Sequence, residues 1–236
     1  MTDLNKQTAL ITGASRGLGL ELARALAQKG WQLIIDGRNA PALREAHNEL
    51  SQWTEVTAVS GDVTNNAHRH ALAVSAEALG GLDLVINNAG ILGPSPQPSL
   101  LSYPLDVLEE VYRVNVLAPL GVLQAVAPYL NEGATIINLG SDAAVEAYEG
   151  WGGYGSAKAA FEHLTAIFAA ENPQYHVYAV DPGDMRTQMH QEAFPGEDIS
   201  DRPLPKTVVP AFLELIAGDL ENGRYQAPKL LAELAV

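Results

Sequence analysis

Tyr154 and Lys158 stand four residues apart, a spacing that puts both side chains on one face of a helix. A free phenol titrates near ~10 and keeps its proton at neutral pH. An ammonium beside it stabilises the phenolate and draws that titration toward the working range. Such a phenol can hand a proton to a carbonyl oxygen or take one from an alcohol. The spacing alone is not selective, because Tyr225 and Lys229 repeat it. Pro228 prevents that second pair from lying within one helix.

A second feature comes near the N-terminus, where an apolar run ends in Thr12-Gly13-Ala14-Ser15-Arg16-Gly17-Leu18-Gly19. Glycines let the backbone turn tightly and approach a pyrophosphate closely, and the helix that follows offers free N–H groups at its positive end. A plain strand-to-helix turn would also use glycine. Its place between the first strand and the first helix is where dinucleotide folds carry their phosphate loop.

The spacing is Gly-x-x-x-Gly-x-Gly rather than Gly-x-Gly-x-x-Gly, and with Thr12 in front it resembles the short-chain dehydrogenase/reductase family. The resemblance extends over about three quarters of the chain, from Thr12 to Thr187. It implies a nicotinamide cofactor held by Gly13, Ser15, Arg16, Gly17, Leu18 and Gly19. After the second strand, Gly37 stands where NAD-preferring relatives carry an acidic residue, and Arg38 follows it. Arg38 and Arg16 could converge on a 2′-phosphate, since guanidinium binds phosphate as a bidentate fork. That favours NADP(H) over NAD(H), although both arginines also read as surface charges and Asp36 lies close by. Asp62 is the family's candidate for the adenine amino group, next to Val63; without the resemblance it reads as a cap for the helix near Thr64. Asn87-Asn88-Ala89-Gly90 matches the family's Asn-Asn-Ala-Gly element, which places Asn87, Ala89 and Gly90 behind the cofactor.

Thirteen residues before Tyr154 lies Ser141, the family spacing, whereas the same position before Tyr225 is Phe212. The resemblance makes Ser141 the hydroxyl that holds the substrate oxygen against Tyr154; its plain role would be a turn residue. Asn115 matches a fourth catalytic position. Asn is a poor helix-interior residue, and the family implies a local kink there with a water relaying protons to Lys158. Pro182, Gly183 and Thr187 resemble the element that meets the nicotinamide, and Tyr154 and Lys158 would touch the cofactor as well. Trp151, Tyr148 and Glu149 lie between Ser141 and Tyr154, where they could line a substrate pocket.

These residues need a scaffold, and the chain supplies a strand–helix alternation. Apolar runs at 8–12, 31–36, 55–60, 82–87, 135–139 and 177–180 read as buried strands. Helices are expected at 18–29, 40–50, 65–79, 104–130 and 154–170, with a last helix at 207–217 and a short strand at 224–227. The alternation argues for a parallel sheet covered on both faces: an α/β, Rossmann-like, doubly wound sheet of about seven strands. One NAD(P)-binding domain, 1–236, would carry both cofactor and substrate sites. The proline-bearing stretches 91–103 and 183–205 read as loops over the cleft at the strand ends.

The chain has 236 residues, no cysteine and a formal charge of −14 from 28 acidic and 14 basic residues. Disulfides and thiol nucleophiles are excluded, and the charge disfavours nucleic acid and anionic membranes as partners. The polar first residues lack the apolar run of a signal peptide, so a soluble cytoplasmic enzyme is expected. The six histidines show no metal-like cluster and read as surface residues; no metal is expected. Trp31 and Trp53 read as packing residues beside strands. Apolar stripes on 104–130 and 154–170 exceed what one sheet face needs, and in relatives these helices pair across an axis, so a homodimer or homotetramer is expected. The leading reading is reversible hydride transfer between NADP(H) and a small-molecule carbonyl or secondary alcohol. The alternative is a non-catalytic NADP(H)-sensing regulator on the same fold; an epimerase or dehydratase would need more chain after Pro182.

Overall fold

The computed structural model describes residues 6–218 and 220–234, so most of the polar N-terminal stretch lies outside the described residues. Strand and helix alternate as β1 (Thr8–Ile11), α1 (Gly17–Gln28), β2 (Gln32–Gly37), α2 (Ala40–Leu50), β3 (Val56–Ser60), α3 (Asn66–Ala78) and β4 (Leu82–Asn87). After α4 (Leu105–Tyr112) and α5 (Ala118–Val126) come β5 (Leu130–Leu139), α6 (Gly152–Glu171) and β6 (His176–Asp181). The chain continues through α7 (Gln188–Ala193), α8 (Val209–Ala217), β7 (Gly223–Gln226) and α9 (Ala227–Leu234). The seven strands pair in parallel in the order β3-β2-β1-β4-β5-β6-β7. This is the Rossmann-like doubly wound sheet, with its order reversing between β1 and β4.

Both faces of the central strands are buried, and neighbouring residues divide between them as strand geometry requires; the run at 55–60, expected as a buried strand, forms the sheet edge β3 with no fully buried residue, as does β7 at the other edge. Ile11, Leu33, Ile35, Leu84 and Ile86 pack with Leu22 and Leu26 of α1 and Phe212 of α8. Their neighbours Leu10, Ile34, Val85 and Ile136 pack the other way, against Leu72 of α3 and Val122 and Val126 of α5. Among the described residues no helix is long and apolar enough to cross a membrane.

The expected helix 104–130 is not continuous. A wide π turn, Arg113–Leu117, separates α4 from α5, and a 3-10 turn over Ala127–Tyr129 leads directly into β5. Pro119, in the first turn of α5, has no N–H to give the carbonyl four residues back, that of Asn115. The kink expected at Asn115 is therefore present, while the length was overread. Stretch 183–205 contains α7 rather than loop alone. A final helix, α9, was also not expected; Pro228 occupies its first turn, where proline starts helices instead of ending them. Ser95 Oγ of the 91–103 loop donates to the Glu192 carbonyl of α7 at 2.6 Å, tying the two long stretches together. Trp31 is buried at the start of β2, whereas Trp53 is 44% exposed and packs little.

A buried polar relay crosses the sheet beneath the strand ends. Asn87 Nδ2 donates to Asn138 Oδ1 at 2.8 Å, and Asn138 Nδ2 donates to Thr165 Oγ1 at 2.9 Å. It links β4, β5 and α6, the three elements that carry most of the site. Asn138→Ala leaves the Asn87 amide nitrogen buried without a partner. A loss of about 1–3 kcal/mol is expected in urea unfolding; an unchanged midpoint would show that the relay does not hold these elements.

Candidate active site

The C-terminal ends of β1, β4, β5 and β6 converge on one edge of the sheet. The glycine loop leaves β1 under tight constraint. Thr12 N–H donates to the Ile86 carbonyl at 3.0 Å, and Thr12 Oγ1 accepts from the N–H groups of Asn88 and Ala89, each at 3.0 Å. Asn88 Nδ2 donates in turn to the carbonyls of Thr12 and Gly13. A Cβ on Gly19 would lie 2.5 Å from Asn88 Nδ2 and 2.7 Å from the Gly13 oxygen, so only glycine allows this approach. Asn88 thus braces the loop, while its neighbour Asn87 faces the sheet.

The start of α1 fits an anionic group. Arg16 at its N-cap makes no side-chain capping bond, and the first turn carries no acidic residue. Gly17 has φ +58° with nothing within 4 Å of a Cβ placed there. Free N–H groups at the positive end of a twelve-residue helix suit a pyrophosphate. Asn87 Oδ1 is buried without a partner. Leu18 and Val63 are buried, and Gly90 lies against Asn115 Oδ1, 3.0 Å from its would-be Cβ.

Asp36 is buried beneath the loop, its Oδ1 accepting the Gly13 N–H at 2.6 Å and its Oδ2 lying 3.0 Å from His68 Nε2. His68, expected at the surface, is therefore a buried partner of Asp36. Arg38 is largely exposed and sits 3.9 Å from Asp62. Arg16 hydrogen-bonds Gln188 at the start of α7. Arg16 is thus tied to α7 while the Arg38 guanidinium is held by no hydrogen bond among the described residues, and joint action on one phosphate requires Arg16 to leave Gln188. Asp62 Oδ1 accepts from the N–H and hydroxyl of Thr64, each at 2.8 Å, while Asn65 caps α3. Burial pushes the Asp62 carboxyl up, but the Thr64 hydrogen bonds and the charge of Arg38 carry it below its ordinary value.

Ser141 and Tyr154 line one cleft of about 120 Å³, with Leu92, Trp151, Met189 and His190 around them. Lys158 is buried beneath the phenol, 5.6 Å from its ring centroid, and donates to the Leu139 carbonyl at 2.8 Å. Asn115, in the π turn, uses its whole amide on Ile91: Oδ1 accepts the N–H at 2.9 Å and Nδ2 donates to the carbonyl at 2.8 Å. The four expected residues are brought to one end of the sheet. Pro182 and Gly183 form the cleft's rim with Gly183 at φ +71°, and Thr187 Oγ1 accepts the His190 N–H, capping α7.

The expected electrostatics are reversed at the phenol. Tyr154 is pushed well above its ordinary value, first by burial and then by the charges of Asp181, Asp142 and Glu162, against a lowering hydrogen bond from Ser141. Burial also lowers Lys158, to about 8, with Glu162 opposing.

Trp151 stacks edge-on against Tyr154 with centroids 5.9 Å apart, as a lining residue should. Tyr148 and Glu149 are exposed, and the Tyr148 hydroxyl donates to Asp142 Oδ2 at 3.1 Å. His190 was expected at the surface; its side chain is 10% exposed and packs on Phe194 with centroids 4.9 Å apart. Sequence reasoning passed over Asp142, Asp181, Glu162 and Arg224, which surround Ser141. Glu162 alone left a signal: it follows Lys158 by four residues and Tyr154 by eight, on their helical face.

The sequence model for short chain dehydrogenases matches residues 7–198. The uncharacterized oxidoreductase YciK of Escherichia coli (strain K12) is 31% identical over 229 residues, covering 92% of this chain and 88% of its own. A rhamnolipids biosynthesis 3-oxoacyl-[acyl-carrier-protein] reductase of Pseudomonas aeruginosa is 30% identical over 238 residues, with 97% and 87% covered. A crystal structure of a short chain dehydrogenase from Escherichia coli CFT073, complexed with NADPH, superimposes with a TM-score of 0.88 at 28% identity, over 95% and 97% of the two chains. The chain belongs to the short-chain dehydrogenase/reductase family, and its activity is that of an NAD(P)-dependent oxidoreductase.

The burial of Lys158 has a thermodynamic consequence. With the folded value near 8 and the ordinary value 10.5, the unfolded chain binds more protons between them, so stability contributed at this site rises with pH across that window. Unfolding midpoints of the natural protein and of Lys158→Met, compared from about pH 8 to about pH 10.5, should show the natural protein gaining on the variant. Parallel curves would mean that Lys158 is not buried as an ammonium.

Proposed function

We propose that the protein reduces a carbonyl compound to a secondary alcohol with NADPH, reversibly, using Tyr154 as the acid and base. The observation that carries this reading is the pairing of the Ser141 and Tyr154 hydroxyls in one cleft above a buried Lys158. When bound, the nicotinamide supplies or accepts the hydride. The chain's own part is to hold the oxygen of the reacting carbonyl and to move one proton. Ser141 Oγ donates a hydrogen bond to that oxygen, and the Tyr154 phenol delivers its proton there as negative charge develops. A phenol pushed upward by burial and by Asp181 and Asp142 is fully protonated at neutral pH, which suits it to donate. Lys158 remains mostly cationic below its value near 8 and stabilises the phenolate left behind. Asn115 holds the Ile91 backbone and keeps the helix open beside Lys158.

Preference for the phosphorylated cofactor is supported by three features. Gly37 places no carboxylate at the end of β2, Asp36 is already committed to Gly13 and His68, and Arg38 is the exposed cation beside it. The solved relative complexed with NADPH agrees. The residues that would hold the group are Gly13, Ser15, Gly17 and Gly19 at the pyrophosphate, Arg38 and Arg16 at the 2′-phosphate, and Gly183 and Thr187 near the nicotinamide. An apolar, aromatic cleft with Asp142 and Asp184 at its edge suits an uncharged substrate better than a carboxylate.

Tyr154→Phe is expected to lower turnover about 10²- to 10⁴-fold while NADPH affinity, read by cofactor fluorescence, stays the same. Activity surviving in that variant would remove Tyr154 from the chemistry. Arg38→Ala should weaken NADPH binding about 10- to 100-fold, the worth of one charge-assisted contact, and leave NADH binding unchanged. Equal loss for both cofactors would refute the 2′-phosphate assignment. A panel of neutral carbonyl compounds followed by NADPH absorbance tests the reaction itself.

A further inference from the structure

Ser141 is gripped at both of its peptide groups by residues from distant elements. Glu162 of α6, its side chain 10% exposed, accepts the Ser141 N–H through Oε1 at 3.1 Å. Its other oxygen takes Arg224 Nε of β7 at 2.8 Å. Arg224 Nη2 then donates to the Ser141 carbonyl at 3.0 Å and reaches Asp181 Oδ2 at 3.4 Å. Asp181 Oδ1 accepts the Gly183 N–H at 2.9 Å, which extends the network to the rim of the cleft. Gly140 makes room for it: a Cβ there would fall 2.2 Å from Glu162 Oε1.

We infer that Glu162 and Arg224 are positioning residues for the reaction, forming a charge clamp that fixes Ser141 and screens the carboxylates around Tyr154. This rests on the carbonyl-reduction reading above. The planar guanidinium is suited to the task, since one fork spans Glu162, the Ser141 carbonyl and Asp181 at once, which a lysine ammonium cannot. The clamp also brings a cation close to a set of carboxylates. The charged and titratable groups around the phenol are Lys158 and Glu162 from α6, Asp142 after β5, Asp181 from β6, and Asp184 with His190 from the segment after β6, while Arg224 of β7 reaches Glu162 and Asp181. Arg224 contacts two of the three carboxylates that push the phenol up, so its charge opposes theirs.

The roles separate by variant, with NADP+ bound throughout. Glu162→Gln keeps an acceptor for the Ser141 N–H but removes a negative charge, so the Tyr154 phenol should titrate at lower pH. Arg224→Ala uncovers Glu162 and Asp181, so it should titrate at higher pH. Arg224→Lys keeps the charge and loses the fork; the titration should stay near that of the natural protein while kcat falls roughly 10- to 100-fold, the scale of a 1 Å misplacement. NADPH affinity should be unchanged in all three. The phenol is read by NMR of isotope-labelled tyrosine Cζ, assigned by Tyr154→Phe, which needs no substrate; kcat is read on the best compound of the carbonyl panel. Opposite displacements in Glu162→Gln and Arg224→Ala, with the kcat loss in Arg224→Lys, establish the clamp. Unmoved or parallel titrations overturn it, as does kcat within about twofold of the natural protein in Arg224→Lys. A natural protein inactive on every panel compound counts against the reductase reading, and the phenol titrations then decide the clamp separately.

Discussion

The site depends on an ammonium taken out of water. Lys158 is 5% exposed, and what it receives in return is one carbonyl, that of Leu139, and the ring faces of Tyr154 and Phe161 at 5.6 and 5.9 Å. Burial of a cation without a directly bonded carboxylate is costly, and the lysine answers by titrating near 8. That single hydrogen bond also fixes geometry, because it ties the second turn of α6 to the last residue of β5. Gly155, one residue after Tyr154, allows α6 to come this close; a Cβ there would stand 2.6 Å from the Ala143 carbonyl. The phenol, the lysine and the serine after β5 are thereby held by one short piece of backbone on each side.

The chain's acidity sets the second constraint. With 28 acidic residues against 14 basic ones, the guanidiniums near the cleft lie close to other side chains. Arg38 faces Asp62, Arg16 bonds Gln188, and Arg224 lies between Glu162 and Asp181. Backbone N–H groups at the start of α1 carry no formal charge and need no carboxylate to balance them, which suits an anionic group in so acidic a chain. Burial, with the carboxylates of Asp181, Asp142 and Glu162 added to it, keeps the phenol protonated instead of drawing it down.

Much of this was legible from residue types and spacing, and the reason differs from element to element. Continuous runs of Val, Ile and Leu mark the strands because a parallel sheet buries both faces, and the glycine loop follows from the φ values and close approaches that only glycine tolerates. The helix 104–130 was overread because its apolar pattern continues through Pro119, whose missing N–H opens the π turn. Helix α9 was not expected; it begins directly after β7 with Pro228 in its first turn, so Tyr225 and Lys229 lie in different elements as the sequence implied. At the site, Tyr154 and Lys158 were legible because their spacing reflects one helical face, and Asn115 and Ser141 through the family resemblance. Asp181, Arg224 and His68 were not, since their partners come from strands and helices distant in sequence. Pattern within one element cannot report a contact made between several. The direction of the Tyr154 shift belongs to the same class, for it is decided first by burial and then by three carboxylates, which only the fold assembles.

The account stands on hydride passing from the nicotinamide to a carbonyl carbon held in this cleft. The direct measurement is a single-turnover reaction of the protein with NADPH deuterated at the transferring position and a neutral carbonyl compound, followed by mass spectrometry of the product. The account predicts deuterium on the new carbinol carbon and a primary isotope effect on the rate. Deuterium that stays on a tightly bound nicotinamide with every carbonyl compound supplied would contradict it.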